Sequence, residues 1–262
     1  MHLETLLLPF LCVIGVTLIY AGLVRWLFRR RLDRRLAWAA LIGCAGLVAL
    51  ATAAFYFGDL GGGFVPRLVA DLQQATSLPR MIRLALIYAA LPEEAAKIGV
   101  VVLLLLVLPA RVRQMSDPAE MLLYSALGFA MCESLLYVIG FSTTPQFQDH
   151  LIAFAVIRGI FGGLLHGLLA MVAGFCLARF WMSRARWLGL LLAYGAAVLL
   201  HASFDGSLLH LVLRNLLQRA SEAGASGAAA DTNAGAVMLG VSFLALLILA
   251  IVGLRRSRRL TT

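Results

Sequence analysis

An all-α, polytopic transmembrane helix bundle of about seven spans is predicted by three observations. The 262-residue chain is 62% hydrophobic and only 13% charged, with a mean hydropathy of +0.93, whereas a soluble domain carries about 25% charged residues. Several apolar runs reach the ~20 residues that cross a bilayer as helix. The arginines gather at the ends of those runs, which is a topology signal, so the net charge of +9 does not point to nucleic acid.

The spans are expected near 4–27, 36–57, 81–109, 118–141, 150–178, 187–213 and 236–254, all within one integral-membrane domain over 1–262. In the first, Glu4 and a neutral start stand where a signal peptide has a basic region. The apolar run is also too long for such a peptide, so a retained span is expected. The turn after it, Arg29-Arg30-Arg31-Leu32-Asp33-Arg34-Arg35, is strongly basic. So are the turns with Arg111/Arg113 and Arg179/Arg184/Arg186, and the tail Arg255-Arg256-Ser257-Arg258-Arg259. With Arg25 these hold 15 of the 22 cations, all on one side if the spans number seven. Positive charge marks the cytoplasmic side, which places the N-terminus outside and the C-terminus in the cytoplasm.

The outer loop 58–80 opens with Gly61-Gly62-Gly63 and continues with Val65, Leu68, Val69 and Leu72 at helical spacing. A short interfacial helix is expected there, serving as a connector. The loop 216–235, rich in Ala, Gly and Ser, is expected to be mobile. Cys12, Cys44, Cys132 and Cys176 each fall in a different span without CxxC spacing, which suggests buried free thiols and no disulfide framework.

The third span carries the chemistry. Pro92-Glu93-Glu94-Ala95-Ala96-Lys97 sets two carboxylates and the only lysine of the chain inside an apolar run. Ionised groups in hydrocarbon are costly, so such a cluster reads as a functional site, against the plainer reading of a charge pair that holds helices together. Lys97 lies one turn from both acids. A straight 29-residue helix would reach about 43 Å, so the span either projects beyond the membrane or bends at Pro92.

Three later spans add polar groups at similar depth. Span four carries Glu133 and Tyr137 one turn apart, where Tyr137 suits a hydrogen bond to that carboxylate or to a substrate carbonyl, or an interfacial position. Span five carries Arg158, a counter-ion for Glu133, and His166 beside a stripe of Gly159, Gly163 and Gly167 that lets another helix approach. Span six carries His201 and Asp205 at i and i+4, either an oriented imidazole or two metal ligands. Four carboxylates against two cations cannot all stay ionised in a low-dielectric site, so at least one is expected to hold a proton near neutral pH.

In this order and in separate spans, Glu93-Glu94-x-x-Lys97, Phe129-x-x-x-Glu133-x-x-x-Tyr137, His166 and His201-x-x-x-Asp205 resemble the PrsW family of intramembrane proteases. That family belongs to a wider group with the CAAX prenyl proteases. The Lys after the glutamate pair and the Glu of the second motif favour the PrsW branch. The resemblance covers roughly residues 88–210, the expected catalytic core. It implies peptide-bond hydrolysis within the membrane, on single-span substrates such as anti-sigma-factor-like regulators, by a glutamic-type mechanism without a cofactor. Glu93 or Glu94 would then act as general base on a water. Glu133, His166 and His201 would position that water and stabilise the oxyanion, while Lys97 and Asp205 tune and orient them.

Two other classes compete. A zinc metalloprotease would use His166, His201 and a carboxylate such as Glu133 as ligands, although no HExxH is present. A proton- or ion-coupled carrier, or a silent peptide-binding scaffold, would line a mid-membrane site with the same residue types. Carriers often repeat their broken helices in two halves, and no internal repeat is evident here. Heavy use of Arg and Ala over Lys suggests a bacterium with a GC-rich genome, hence a cytoplasmic membrane.

Overall fold

A computed structural model of the chain describes residues 3–28, 32–57, 77–112, 114, 116–143, 145–181 and 183–221, with scattered positions in 67–75 and 240–252. Every element among the described residues is a helix. Helix α1 spans Leu3–Phe28, α2 Arg34–Phe57, α3 Leu78–Ala85, α4 Leu91–Val107, α5 Asp117–Ser142, α6 Leu151–Trp181 and α7 Arg186–Ser221.

Among the described residues, five stretches are long and apolar enough to cross a membrane: Leu6–Phe28, Arg34–Ala54, Asp117–Ser142, Gln148–Trp181 and Arg186–Val212. Large apolar side chains on their outer surfaces, among them Ile19, Leu50, Phe161, Leu191 and Leu199, are exposed in the isolated chain, as lipid-facing residues are. The third predicted span is not among the five, because it is broken and charged. It starts at Leu78, earlier than the predicted residue 81, and passes from α3 through a π-helical turn, Leu86–Ala90, into α4. The Leu91 N–H reaches back to the Leu86 carbonyl in that turn. Pro92 follows at once, with no N–H to offer and a ring that would collide with the carbonyl four residues back. One widened turn relieves that collision, so the expected bend at Pro92 takes the form of a π turn ahead of it.

Helix α5 is the axis of the bundle. It is buried along most of its length and packs against α1, α2, α4 and α6. Gly128 permits the closest approach: a Cβ there would run into the Leu41 carbonyl of α2. The glycine stripe of α6 receives α1. Gly159 faces Val16 and Gly163 faces the Tyr20 ring, whose hydroxyl donates to the Ile160 carbonyl at 3.0 Å. Gly167 has open space, so only two of the three expected glycines make a helix contact. Helix α3 crosses α7 where Gly206 meets the Ile82 backbone.

On the end that carries the short turns, Asp33 caps α2. Its Oδ1 accepts the Arg35 N–H at 2.9 Å, and its Oδ2 pairs with Arg111 at 2.8 Å. These two bonds, the amide bond first, hold the Asp33 carboxyl below its ordinary value. Helix α7 continues to Ser221, where a loop was expected from 216, because no breaker interrupts it sooner. The remainder of that loop, the basic residues 29–31, Arg113, the tail 255–259 and most of the seventh predicted span lie outside the described residues. The same is true of most of the expected interfacial helix, of which Arg67, 70–72 and Gln74 are described and helical. The four cysteines are free, with Cys44 and Cys132 buried.

Candidate active site

Four helices place their charged residues at one level. The π turn and Pro92 deliver Glu93, Glu94 and Lys97 from the first turns of α4, α5 contributes Glu133, α6 Arg158 and His166, and α7 His201 and Asp205. All eight of these sequence-predicted residues meet in one continuous polar chain.

The chain runs through its buried centre. Lys97, 1% exposed, pairs with Glu94 Oε1 at 2.5 Å and lies 3.0 Å from His166 Nδ1. Its ammonium also lies 4.6 Å above the Phe129 ring, so its three hydrogens face a carboxylate, an imidazole and an aromatic face. Ser125 on α5 donates to the Lys97 carbonyl at 2.8 Å and fixes the α4 backbone at that residue.

An ammonium can only donate, so His166 Nδ1 accepts from Lys97 and its hydrogen sits on Nε2. That Nε2–H points to Glu133 Oε2 at 3.0 Å. Glu133 Oε1 in turn pairs with Arg158 Nη2 at 2.6 Å, and the Arg158 guanidinium stacks 4.6 Å over the Tyr137 ring. Arg158 is therefore the counter-ion expected for Glu133, while the Tyr137 ring serves as its platform. The rings of Phe129 and His201 pack edge-on against His166, at centroid distances of 5.1 and 5.4 Å.

On the other side of Glu94, His201 Nδ1 lies 2.8 Å from the same Oε1. Its Nε2 lies 3.0 Å from Asp205 Oδ2 and 3.6 Å from Glu93 Oε2. Both imidazole nitrogens thus face carboxylates. Either His201 carries two hydrogens or one of these carboxyls carries the proton instead.

Glu93 differs from Glu94. Both Lys97 and His201 engage Glu94, whereas the buried Glu93 Oε2 has no hydrogen-bond partner. An orphaned buried acceptor is expensive and marks a place where a further polar group fits. Exposure at the site is graded. Glu94, Lys97, His166 and His201 are almost fully buried, while the side chains of Glu133, Glu93, Arg158 and Asp205 are 17, 18, 23 and 31% exposed. The last four form the open rim of the cluster.

Sequence reasoning passed over Ser125 and Tyr194. Ser125 extends the spacing Phe129, Glu133, Tyr137 back by four residues, which puts it on the same face of α5 and was readable. Tyr194 donates to the Leu91 carbonyl at 3.0 Å, and nothing in the local sequence announces it.

A family model described as "PrsW family intramembrane metalloprotease" matches residues 33–228. No curated protein and no solved structure matches the chain. The description implies a metal, and Glu93, His166 and His201 each bring one ligand atom within 4.8 Å of the others. The carboxylate in this group is Glu93 and not Glu133, which is committed to His166 and Arg158. The residue types suit a tetrahedral zinc with one open position. The hydrogen bonding does not. A ligating imidazole must present a lone pair, and a metal-bound histidine usually donates its other N–H to an acceptor. His166 spends its lone pair on Lys97 and carries hydrogen on the nitrogen facing Glu133. As arranged, the residues do not fit the metal.

Proposed function

The chain belongs to the PrsW family of intramembrane proteases, and we propose that it hydrolyses a peptide bond of membrane-anchored protein substrates with Glu93 as general base. The observation that carries this reading is the buried, unpartnered Glu93 Oε2, 3.6 Å from His201 Nε2 at the open rim of the cluster.

A water held between Glu93 Oε2 and the His201 Nε2–H has its proton acceptor in place. As its oxygen attacks the scissile carbonyl, Glu93 takes a proton, and the same carboxyl later returns it to the departing amine. The oxyanion needs a donor, and Arg158 is the one at the rim. Glu94 and Asp205 orient His201. Glu133 and Lys97 hold His166, whose ring packs against that of His201.

The wider topology follows from the sequence. Seven spans with an outer N-terminus and a cytoplasmic C-terminus remain the reading favoured by the arginine distribution. The catalytic core is residues 88–210, and the substrates are single-span proteins that reach the rim from the bilayer of a bacterial cytoplasmic membrane.

The test is cleavage of a single-span reporter by the purified protein in detergent, wild type against Glu93→Gln. Product from the wild type and none from the variant is expected. A variant that cleaves at the wild-type rate removes Glu93 from the role of base. A wild type that cleaves no such reporter in detergent or in liposomes overturns the substrate class.

A further inference from the structure

We infer that the Lys97 ammonium occupies the cation position of this site, and that it acts as a positioning residue which excludes a divalent metal from the Glu93/His166/His201 cluster. This rests on the reading of the cluster as the hydrolytic site.

The argument is one of lone pairs. Lys97 is 1% exposed and bonded to Glu94 Oε1 and His166 Nδ1, with the Phe129 face closing the remaining direction. A metal on His166 Nδ1 would have to stand where the ammonium is. A metal on Nε2 would require the hydrogen to move to Nδ1, against an ammonium that has nothing to accept it with, and would break the bond to Glu133 Oε2. With His166 withdrawn, only Glu93 and His201 remain of that group, and two ligands do not make a zinc site. The ammonium supplies instead what a metal's charge would supply: it is the positive centre paired with Glu94 beside His201, and it fixes the His166 tautomer that donates to Glu133.

The inference predicts a gained property. Removing the ammonium while keeping the side chain's bulk, as in Lys97→Met, frees His166 Nδ1; with His201 releasing its Nε2 hydrogen as zinc binds, Glu93, His166 and His201 become three ligands of a catalytic-type zinc set. Zinc content is read by elemental analysis of the full-length protein after incubation with zinc and removal of the excess. Wild type is expected to retain no stoichiometric zinc. Lys97→Met is expected to retain about one zinc per chain, and Lys97→Met/His166→Gln to lose it again. Stoichiometric zinc in the wild type that is lost in His166→Gln overturns the inference, and so does a folded Lys97→Met that gains none.

If Lys97→Met does not fold, the His166 tautomer decides in the wild type. Histidine 15N spectra, assigned by comparison with His166→Gln, should show hydrogen on Nε2, and hydrogen on Nδ1 overturns the inference. The readouts separate the two readings. A zinc-free protein that cleaves no reporter counts against hydrolysis and leaves the role of Lys97 standing. A zinc-loaded protein that cleaves does the reverse.

Discussion

The Tyr194 hydroxyl donates to the Leu91 carbonyl at 3.0 Å, tying α7 to α4 one residue before Pro92. That bond sits between the π turn and the glutamate pair, so it fixes the direction in which Glu93 and Glu94 emerge. Tyr194→Phe removes it at a cost of about 1 kcal/mol. Reporter cleavage should fall severalfold, since Glu93, the proposed base, is two residues away. Melting in detergent and cleavage rate should be measured together. A lowered melting temperature with an unchanged rate would make the bond a structural tether only.

The two glutamates should separate cleanly. Glu94 is the partner of a buried ammonium, and removing one member of a buried pair costs about 3–5 kcal/mol. Glu94→Gln should therefore lower the melting temperature sharply, with activity lost partly through unfolding. Glu93 Oε2 bonds to nothing, so Glu93→Gln should melt near wild type and still be inactive. An equally stable Glu94→Gln would show that Lys97 finds another partner.

The glycines of α6 offer a control on helix packing. A Cβ at Gly163 would lie 2.8 Å from the Tyr20 ring, and at Gly167 nothing lies within 4 Å. Gly163→Ala should lose about 1–3 kcal/mol as α1 is pushed away. Gly167→Ala should be neutral or gain up to about 1 kcal/mol from helix propensity. Thermal denaturation of both variants in one detergent gives the comparison, and equal effects would contradict the α1–α6 packing.

The helices and the membership of the cluster were legible in the sequence for different reasons. Helices that cross a bilayer satisfy every backbone group within the segment, so apolar length alone reveals them. Glu93, Glu94, Lys97, Glu133, Arg158, His166, His201 and Asp205 stood out because hydrocarbon makes any charge conspicuous. What the sequence left open was which glutamate is free. That depends on where Lys97 and His201 point, a relation between α4, α6 and α7 that no local pattern encodes. The break in the third span was legible as Pro92, but not its form, because a π turn is a backbone response to a neighbour and has no residue signature of its own. Zinc and glutamic readings share residue types, and no local pattern in the sequence shows where His166 spends its lone pair.

Asp33 gives a dependence on pH outside the spans. The Arg35 amide, and then Arg111, hold its carboxyl below the ordinary value. A group lowered on folding stabilises fully above its unfolded value, near 3.9, and loses that contribution as pH falls through the folded value. Melting temperature should therefore decline on acidification below about pH 4, and Asp33→Asn, which keeps the cap, should flatten that decline slightly. The group is exposed, so the difference will be small. A steeper decline in the variant would reverse the sign and contradict the assignment.

Arg158 links the rim to the buried centre. It grips Glu133 Oε1 at 2.6 Å, which leaves Oε2 for His166, and it rests on the Tyr137 ring. Lys at this position keeps the charge but loses the planar fork and the stacking. Arg158→Gln leaves Glu133 with no guanidinium and with His166 as its remaining partner. If Arg158 acts at the oxyanion or through Glu133, kcat falls in both variants, further in Gln than in Lys, while KM for the reporter holds. If its exposed face instead binds substrate in the ground state, KM rises and kcat holds. Tyr137→Phe keeps the platform and should change kcat little in either case, so a large loss there would assign the hydroxyl a direct part in the reaction.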